Sequence, residues 1–308
     1  MIGVSVWIQV RAISYGVVVR SSREGKPSTT GLFISVRGQH LLEGGGGVIS
    51  QQAKPWRSFV ALGDSFTEGL MDDVGPDGRY LGWADRVAGA LASRVPAFSY
   101  ANLAIRGRLT RQVTDEQVPL ALAMHPELVS FAAGVNDALR RGYDLHHSAT
   151  SVEDGVKALR AGGADVLLYA FGDPARRSML MGRIRGRLAD YNSAMRAIAT
   201  EYDCYLVNFW GVAAFDQDEF WDSDRLHLSP EGHQLATQCA LQALGVADAS
   251  WRTPAAIEPA PVLRRAVGHA RWFHGHLGPW VTRRLRGESS GDGIVAKRPQ
   301  LLPLEAPK

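Results

Sequence analysis

The amino-acid sequence predicts an α/β protein with a five-stranded parallel sheet. Short apolar runs recur between residues 57 and 247, and a longer segment with helical periodicity follows most of them. A run that is apolar throughout is typical of a strand buried on both faces, and helices between such strands favour parallel pairing. We therefore predict a flavodoxin-like three-layer α/β/α sandwich, with helices on both faces of the sheet.

Strands and helices alternate along this region. The predicted strands are Phe59–Leu62, Phe98–Leu103, Leu128–Ala133, Val166–Phe171 and Tyr205–Phe209. The predicted helices are Trp83–Arg94, Leu109–Met124, Val152–Gly162, Arg185–Tyr202 and Glu231–Leu244. The first helix has one apolar face and stops before Pro96. The last begins where Ser229 can cap it and Pro230 can occupy its first position.

Extensions of a different character flank this central domain, which we place at residues 57–247. Residues 1–56 show no sustained periodicity and contain the run Gly44–Gly47, so we predict a poorly ordered N-terminal extension. Residues 248–308 begin with a proline-linked stretch, continue into Val262–Arg286 and end in an extended tail. Val262–Arg286 contains six arginines and no acidic residue, which predicts a basic amphipathic helix.

Two roles are open for this basic helix. It could make a weak contact with an anionic membrane surface, or it could pack its aromatic side chains onto the central domain of its own chain. Residues 58–250 carry 25 acidic and 17 basic side chains. We favour packing onto the chain's own domain, because a basic helix and an acidic domain are electrostatically complementary.

Composition narrows the class of protein. The chain has 308 residues, of which 45% are hydrophobic, and its net charge is +3, which is typical of a globular protein. An acidic central domain argues against nucleic acid as a partner.

No apolar run is long enough to span a membrane, and Met1–Val19 lacks the basic start and cleavage site of a signal peptide, so we expect a cytoplasmic protein. Cys204 and Cys239 do not have the spacing of a metal site or a disulfide scaffold. No feature indicates an oligomeric state.

A serine follows the first predicted strand directly. The apolar run Phe59–Leu62 ends in Gly63-Asp64-Ser65, which indicates a turn at the carboxyl end of a buried strand. Ligands bind at this end of the strands in open α/β sheets. Ser65 is therefore a candidate nucleophile, although a Gly-Asp-Ser turn can also serve only to cap a helix.

Polar or glycine residues follow the other strands in the same way. Gly107 lies after the second strand, Asn136 after the third, and Asp224 and His227 after the fifth. The loops at one end of a parallel sheet converge, so these residues are expected to lie near Ser65. Each has a purely structural interpretation when taken alone, as a strand end, a turn cap or a buried histidine.

Together these stretches resemble the four motif blocks of the SGNH (GDSL-type) hydrolase superfamily. Gly63-Asp64-Ser65 is similar to the nucleophile block, with Phe66 where the family name has leucine. Gly107 matches the glycine block and Asn136 the asparagine block. Asp224 and His227, in Asp-x-x-His-Leu-Ser, match the last block. The resemblance spans about residues 57–245, in the family's order, and four ordered blocks are far more specific than one.

The resemblance implies a serine esterase without a metal or an organic cofactor. Ser65 would be the nucleophile, His227 its base and Asp224 the residue that orients His227, an arrangement that also suits the chemistry of these side chains. The oxyanion hole would consist of the Ser65 and Gly107 N–H groups and the Asn136 amide. The expected small-molecule substrate is a small acyl ester, an acetylated sugar or a lysophospholipid. An acyltransferase or a non-catalytic ligand-binding protein of the same fold is the alternative.

Other polar residues receive weaker interpretations. His233 falls in the first turns of the last helix and is expected to be structural. Glu68 and Asp137 border the predicted site without an assigned role. The pair His146-His147 does not predict a metal site, because adjacent residues of a helix do not face the same way.

Overall fold

The structure, a computed structural model, describes residues 5–10, 13–18, 35–36, 39–40, 54–176, 181–247 and 291–305. Two compact units are distinguished, residues 1–34 and residues 35–308. In the first unit, strands Ser5–Val10 (β1) and Ile13–Val18 (β2) pair antiparallel. In the second, the short strands Ser35–Val36 (β3) and Gln39–His40 (β4) also pair antiparallel. The predicted poor order of residues 1–56 stays a prediction.

A six-stranded sheet forms the centre of the second unit. Its strands are Ser58–Gly63 (β5), Ser99–Asn102 (β6), Leu128–Ala132 (β7), Asp165–Ala170 (β8), Tyr205–Asn208 (β9) and Arg298–Pro303 (β10). They lie in the order β10-β6-β5-β7-β8-β9. Strands β5 to β9 are parallel, in the flavodoxin-like order expected for this class.

The sixth strand corrects the prediction of a five-stranded, wholly parallel sheet. Strand β10 pairs antiparallel with β6 and covers what would otherwise be the edge of the sheet. It comes from the tail that was predicted only to be extended. The sequence Arg-Pro-Gln-Leu-Leu-Pro contains two prolines, which obscure its strand character because proline cannot donate to a ladder.

Eight α-helices accompany the sheet in the described part of the chain. They are Ser65–Glu68 (α1), Gly82–Ala92 (α2), Thr110–Gln112 (α3), Val118–Ala123 (α4), Val135–Ala138 (α5), Leu145–Ala161 (α6), Arg185–Glu201 (α7) and Pro230–Ala243 (α8). The predicted cap of the last helix is confirmed, since Ser229 Oγ accepts the N–H of Gly232 at 3.2 Å and Pro230 is its first residue.

Two helix predictions differ from the structure. The predicted helix Leu109–Met124 is divided, because a π-helical turn, Val113–Gln117, separates α3 from α4. Pro119 near the start of α4 has no N–H for a regular helical bond, which accounts for the break. Helix α6 begins well before the predicted Val152, where Asp144 accepts the N–H of His147 at 3.2 Å as its cap.

The core lies on both faces of the sheet. Every residue of β5, β7 and β8 is buried, as expected for parallel strands between two helical layers. His233 joins two of the covering elements. Its Nδ1 accepts the N–H of Trp83 at 3.2 Å, and its Nε2 lies 3.0 Å from the carbonyl oxygen of Leu70. His233 is 1% exposed, so it is the structural histidine that was expected.

The predicted basic helix Val262–Arg286 lies outside the described residues, and so does the contact with a membrane surface that was considered for it. Among the residues that the structure does describe, none of the helices is both long and apolar enough to cross a membrane.

Candidate active site

The turn Gly63-Asp64-Ser65, here called the nucleophile turn after its candidate nucleophile Ser65, lies where β5 passes into α1. Ser65 is the first residue of α1, and Asp64 caps the helix by accepting the N–H of Phe66 at 3.0 Å. The preceding residue, Gly63, has a φ of +151°, and a Cβ there would lie 2.3 Å from the carbonyl oxygen of Ala132. Only glycine fits this position, and the resulting turn presents Ser65 at the end of the sheet where ligands bind.

His227 lies between the two residues that the sequence paired with it, Ser65 and Asp224. The Oγ of Ser65 lies 3.0 Å from Nε2 of His227, and Nδ1 of His227 lies 2.5 Å from Oδ2 of Asp224. The other carboxylate oxygen of Asp224 accepts the N–H groups of Leu226 and His227, both at 2.9 Å. Ser65, His227 and Asp224 thus form a continuous row of hydrogen bonds.

The charge on Asp224 is stabilised in this position. Burial alone raises the pKa of a carboxyl group, but the hydrogen bond and the nearby ring of His227, with the backbone N–H groups, lower the pKa of Asp224 to about 2. An ionised carboxylate beside Nδ1 keeps the proton of the neutral imidazole on that atom. Nε2 is then free to accept the proton of Ser65.

Asn136 lies against the nucleophile turn. Its Nδ2 donates to Oδ2 of Asp64 at 2.9 Å and to the carbonyl oxygen of Arg108 at 3.2 Å. Asp64 is 4% exposed, and this burial raises the pKa of its carboxyl group to about 7, despite the hydrogen bonds from Phe66 and Asn136. The asparagine block and the nucleophile block are therefore joined through a buried carboxyl group.

Gly107 lies in a loop that other acidic residues hold in place. It has a φ of +78°. The Glu68 carboxylate accepts the N–H of Arg106 at 2.8 Å and pairs with the Arg106 guanidinium. On the other side of Gly107, the buried Asp137 accepts the N–H and the hydroxyl of Thr110, at 3.1 and 2.8 Å. The loop is thus fastened at both ends.

Two backbone N–H groups at this site could donate hydrogen bonds to a ligand. Within residues 54–176, 181–247 and 291–305, neither the N–H of Ser65 nor the N–H of Gly107 has a protein acceptor. Ser65 is the first residue of α1, and its N–H is one of those that a helix leaves unbonded. Backbone donors without a protein partner can bind a developing negative charge.

A cleft of about 650 Å³ lies elsewhere on the domain. Its lining includes Trp56, Arg57, Glu127 and Asp165, which lie at or just before the starts of strands β5, β7 and β8. This is the end of the sheet opposite Ser65, so the cleft is separate from the candidate active site. The charged groups there already pair, Arg57 with Glu127 and Lys54 with Asp165. In the described part of the chain, no group of three or more His, Cys, Asp or Glu residues could hold a metal ion.

The family model of the GDSL-like lipase/acylhydrolase family matches residues 61–235. The chain belongs to this family. The match begins in β5 and ends in α8, so it includes the nucleophile turn, the Gly107 and Asn136 loops and the segment with Asp224 and His227. The predicted SGNH hydrolase is confirmed, and the protein is a serine esterase of the GDSL type.

Solved structures support the fold of this GDSL-type protein. A catalytic mutant of an acetylxylan esterase from Geobacillus stearothermophilus aligns with a TM-score of 0.52 at 18% identity, covering 63% of this chain and 95% of the other. An α/β hydrolase from the metagenome of Lake Arreo, Spain, aligns with a TM-score of 0.50 at 20% identity, covering 65% and 99%. No curated protein sequence matches the chain.

Sequence analysis missed the roles of three acidic residues that join the motif blocks, although it placed Glu68 and Asp137 at the border of the site. Asp64 binds Asn136, Glu68 binds Arg106, and Asp137 binds Thr110. Each of the three lies within a motif block or next to it. The only available signal was a charged residue in a segment whose other residues favour turns. That signal does not identify the partner, which lies in another loop.

Proposed function

We propose that the protein hydrolyses carboxylic esters with Ser65 as nucleophile, His227 as general base and Asp224 as the residue that orients the base. The observation that carries this proposal is the row of contacts from Ser65 Oγ through His227 to Asp224, at 3.0 and 2.5 Å. A serine hydroxyl is a weak nucleophile until a base takes its proton. His227 is within reach of that proton, and Asp224 stabilises the imidazolium that results.

The reaction has two halves. Ser65 Oγ bonds to the ester carbonyl carbon while its proton moves to His227 Nε2. The tetrahedral intermediate then expels the alcohol, which takes the proton from His227, and the acyl group stays on Ser65. In the second half, water attacks the acyl carbonyl and gives its proton to His227. The second intermediate releases the carboxylic acid, and the proton returns to Ser65.

Each intermediate carries a negative oxygen, for which we assign three donors. The N–H groups of Ser65 and Gly107 suit this role because they have no protein acceptor in the described residues. The Asn136 amide joins them by releasing its longer bond, 3.2 Å to Arg108, and keeping the bond to Asp64. Removing one such donor typically lowers the reaction rate by about 10²- to 10³-fold.

The substrate that we would test first is an acetyl ester on a sugar. The support is the fold shared with acetylxylan esterases. Other small acyl esters and lysophospholipids are the further substrates to test. An acyltransferase would form the same acyl-enzyme and differ only in its acceptor. The contacts among Ser65, His227 and Asp224 favour a catalytic protein over a non-catalytic binding protein.

The test compares wild type with Ser65→Ala on p-nitrophenyl acetate, butyrate and octanoate and on an acetylated xylo-oligosaccharide. We expect Ser65→Ala to lose at least about 10³-fold in kcat and to lose labelling by a fluorophosphonate. Ser193→Ala, which removes an exposed hydroxyl on α7, is the matched control and should keep both. Labelling that persists in Ser65→Ala contradicts the proposed nucleophile. Acyl transfer to added alcohol or sugar that outpaces hydrolysis indicates an acyltransferase.

A further inference from the structure

The segment of residues 291–305 lies outside the family match, yet it contacts the loop that carries Gly107. The family model ends at residue 235. Strand β10 in this segment pairs with β6 at Arg298 opposite Asn102 and Leu302 opposite Tyr100. The chain passes from the end of β6 at Asn102 directly towards Gly107. The segment therefore borders both the strand and the loop that follows it.

Gly291 closely approaches Arg106. Gly291 is buried, and a Cβ at this position would lie 2.2 Å from the carbonyl oxygen of Arg106 and 2.9 Å from Cγ2 of Ile105. Side-chain carbons do not approach an oxygen so closely, so only glycine lets the two backbones meet here. The backbone of the tail rests directly on the Arg106 carbonyl group.

This contact bears on the oxyanion hole because of peptide geometry. The carbonyl group of Arg106 and the N–H of Gly107 belong to one planar peptide unit. A rotation that moves the oxygen therefore moves the N–H as well. On its other side, Arg106 is held by Glu68, which accepts the Arg106 N–H at 2.8 Å. Glu68 thus holds the peptide unit before Arg106, whereas Gly291 confines the carbonyl group that shares a peptide unit with the Gly107 N–H.

Lys297 anchors the segment to the domain. Its Nζ donates to the carbonyl oxygens of Tyr80 and Leu81, at 3.0 and 2.6 Å, and lies 2.5 Å from Oδ2 of Asp85. The Lys297 side chain is 10% exposed. Arg298 adds a bond from Nε to the carbonyl oxygen of Tyr100 at 2.8 Å. These partly buried bonds hold the segment to the domain a few residues after Gly291.

We propose that residues 291–305 are part of the catalytic unit, with Gly291 as a positioning residue that sets the orientation of the Gly107 N–H. This inference rests on the proposed function, in which that N–H binds the oxyanion. Gly291 itself touches no reacting atom. Its effect is on the stability of the transition state, and it therefore acts on kcat and kcat/KM together.

The main test is Gly291→Ala in the full chain, assayed with p-nitrophenyl acetate. We expect kcat and kcat/KM to fall together, by about 10- to 100-fold, because the Arg106–Gly107 peptide rotates away from the added methyl group. The shape of the pH–rate profile should not change, because His227 and Asp224 are untouched. The control is Gly293→Asn in the same turn, where a Cβ meets no atom within 4 Å and asparagine tolerates the φ of +75°.

Two further variants separate this idea from a loss of folding and from failure of the proposed function. Lys297→Met removes the charged anchor without a clash and should lower kcat and kcat/KM by the same factor. Lys297→Arg keeps the positive charge and should retain part of the activity that Lys297→Met loses. Wild-type kcat in a folded Gly291→Ala protein overturns the positioning role and leaves the triad standing. If Gly291→Ala does not fold, wild-type kcat in Lys297→Met overturns the positioning role instead. Activity retained by Ser65→Ala overturns both proposals.

Discussion

Asn136 and Asp64 are joined by a hydrogen bond of 2.9 Å, from the amide nitrogen of Asn136 to Oδ2 of Asp64. Asp64 directly precedes Ser65, and its Oδ1 also accepts the N–H of Phe66 at 3.0 Å. One carboxyl group therefore shapes the nucleophile turn and holds the asparagine that we assign to the oxyanion hole. The identity of Asp64 should matter to catalysis although it lies outside the triad.

Replacing Asp64 tests this connection. Asp64→Asn has one carbonyl oxygen in place of two acceptors, so it can serve Phe66 or Asn136 but not both. At pH 8, above the Asp64 pKa of about 7, we expect kcat to fall about 10- to 100-fold, the equivalent of losing one hydrogen bond to a charged group. Asp77→Asn is the matched control. Asp77 accepts the N–H of Arg79, two residues ahead, just as Asp64 accepts that of Phe66, but Asp77 lies in an exposed loop. Wild-type kcat in Asp64→Asn would show that Asn136 needs no such partner.

Asp224→Asn tests the orienting role of the third triad residue. The amide cannot hold the Nδ1–H tautomer of His227, so we expect kcat to fall about 10⁴-fold, as for other Ser-His-Asp enzymes. Fluorophosphonate labelling should slow by a similar factor, since it uses the same base. A loss smaller than about tenfold contradicts the assignment.

The same variant has a second readout in acid. Burial alone would raise the pKa of Asp224, but its hydrogen bonds and its electrostatic interaction with His227 lower it from 3.8 to about 2. The folded state therefore binds this proton less readily than the unfolded state. The resulting stabilisation is complete above pH 3.8 and is lost as the pH falls towards 2. Between these values, the unfolding free energy of Asp224→Asn should fall less steeply than that of wild type, as measured by urea denaturation.

His233 should produce a separate loss of stability in mild acid. Burial lowers the pKa of His233 from 6.5 to about 4, so the unfolded chain takes up a proton there before the folded protein does. Stability from this group is complete above pH 6.5 and is lost as the pH falls to 4, by at most about 1.4 kcal/mol per pH unit. His233→Gln can keep both hydrogen bonds and should flatten this slope. His146→Gln, at an exposed position, should leave it as in wild type.

Gly63→Ala should disturb the turn that presents Ser65. The added methyl group would lie 2.3 Å from the Ala132 carbonyl oxygen, and relief of this clash has to move β5 or the turn. We expect a loss of about 3 kcal/mol in unfolding free energy together with a large drop in kcat. Gly142→Ala is the control, because a Cβ there meets no atom within 4 Å. Equal melting temperatures for the two variants would contradict the close approach.

Local patterns predicted most of the fold and indicated the three residues that we propose as the triad. The strand Ser58–Gly63 lies within one residue of its predicted bounds at each end, because continuous burial leaves a continuous apolar run. Ser65, Asp224 and His227 could be predicted as site residues because each lies directly after a strand or in a short motif. In a parallel sheet such positions meet at one end without any knowledge of side-chain contacts.

Contacts between distant segments could not be read from the sequence. The partner of Glu68 is Arg106, and nothing local to either residue indicates the other. Strand β10 was missed for the same reason. Its strand conformation depends on the free edge of β6, and its prolines argue against a strand when it is considered alone.

The pairing of β10 with β6 also affects the order of folding. Arg298 lies opposite Asn102, so the two strands close a loop of about 200 residues, which makes this a late contact. Until it forms, β6 is an open edge whose N–H and C=O groups can pair with another chain. Refolding at high protein concentration should therefore lose material to aggregation at this stage. The same late step would switch on catalysis, if Gly291 orients Gly107 as we propose.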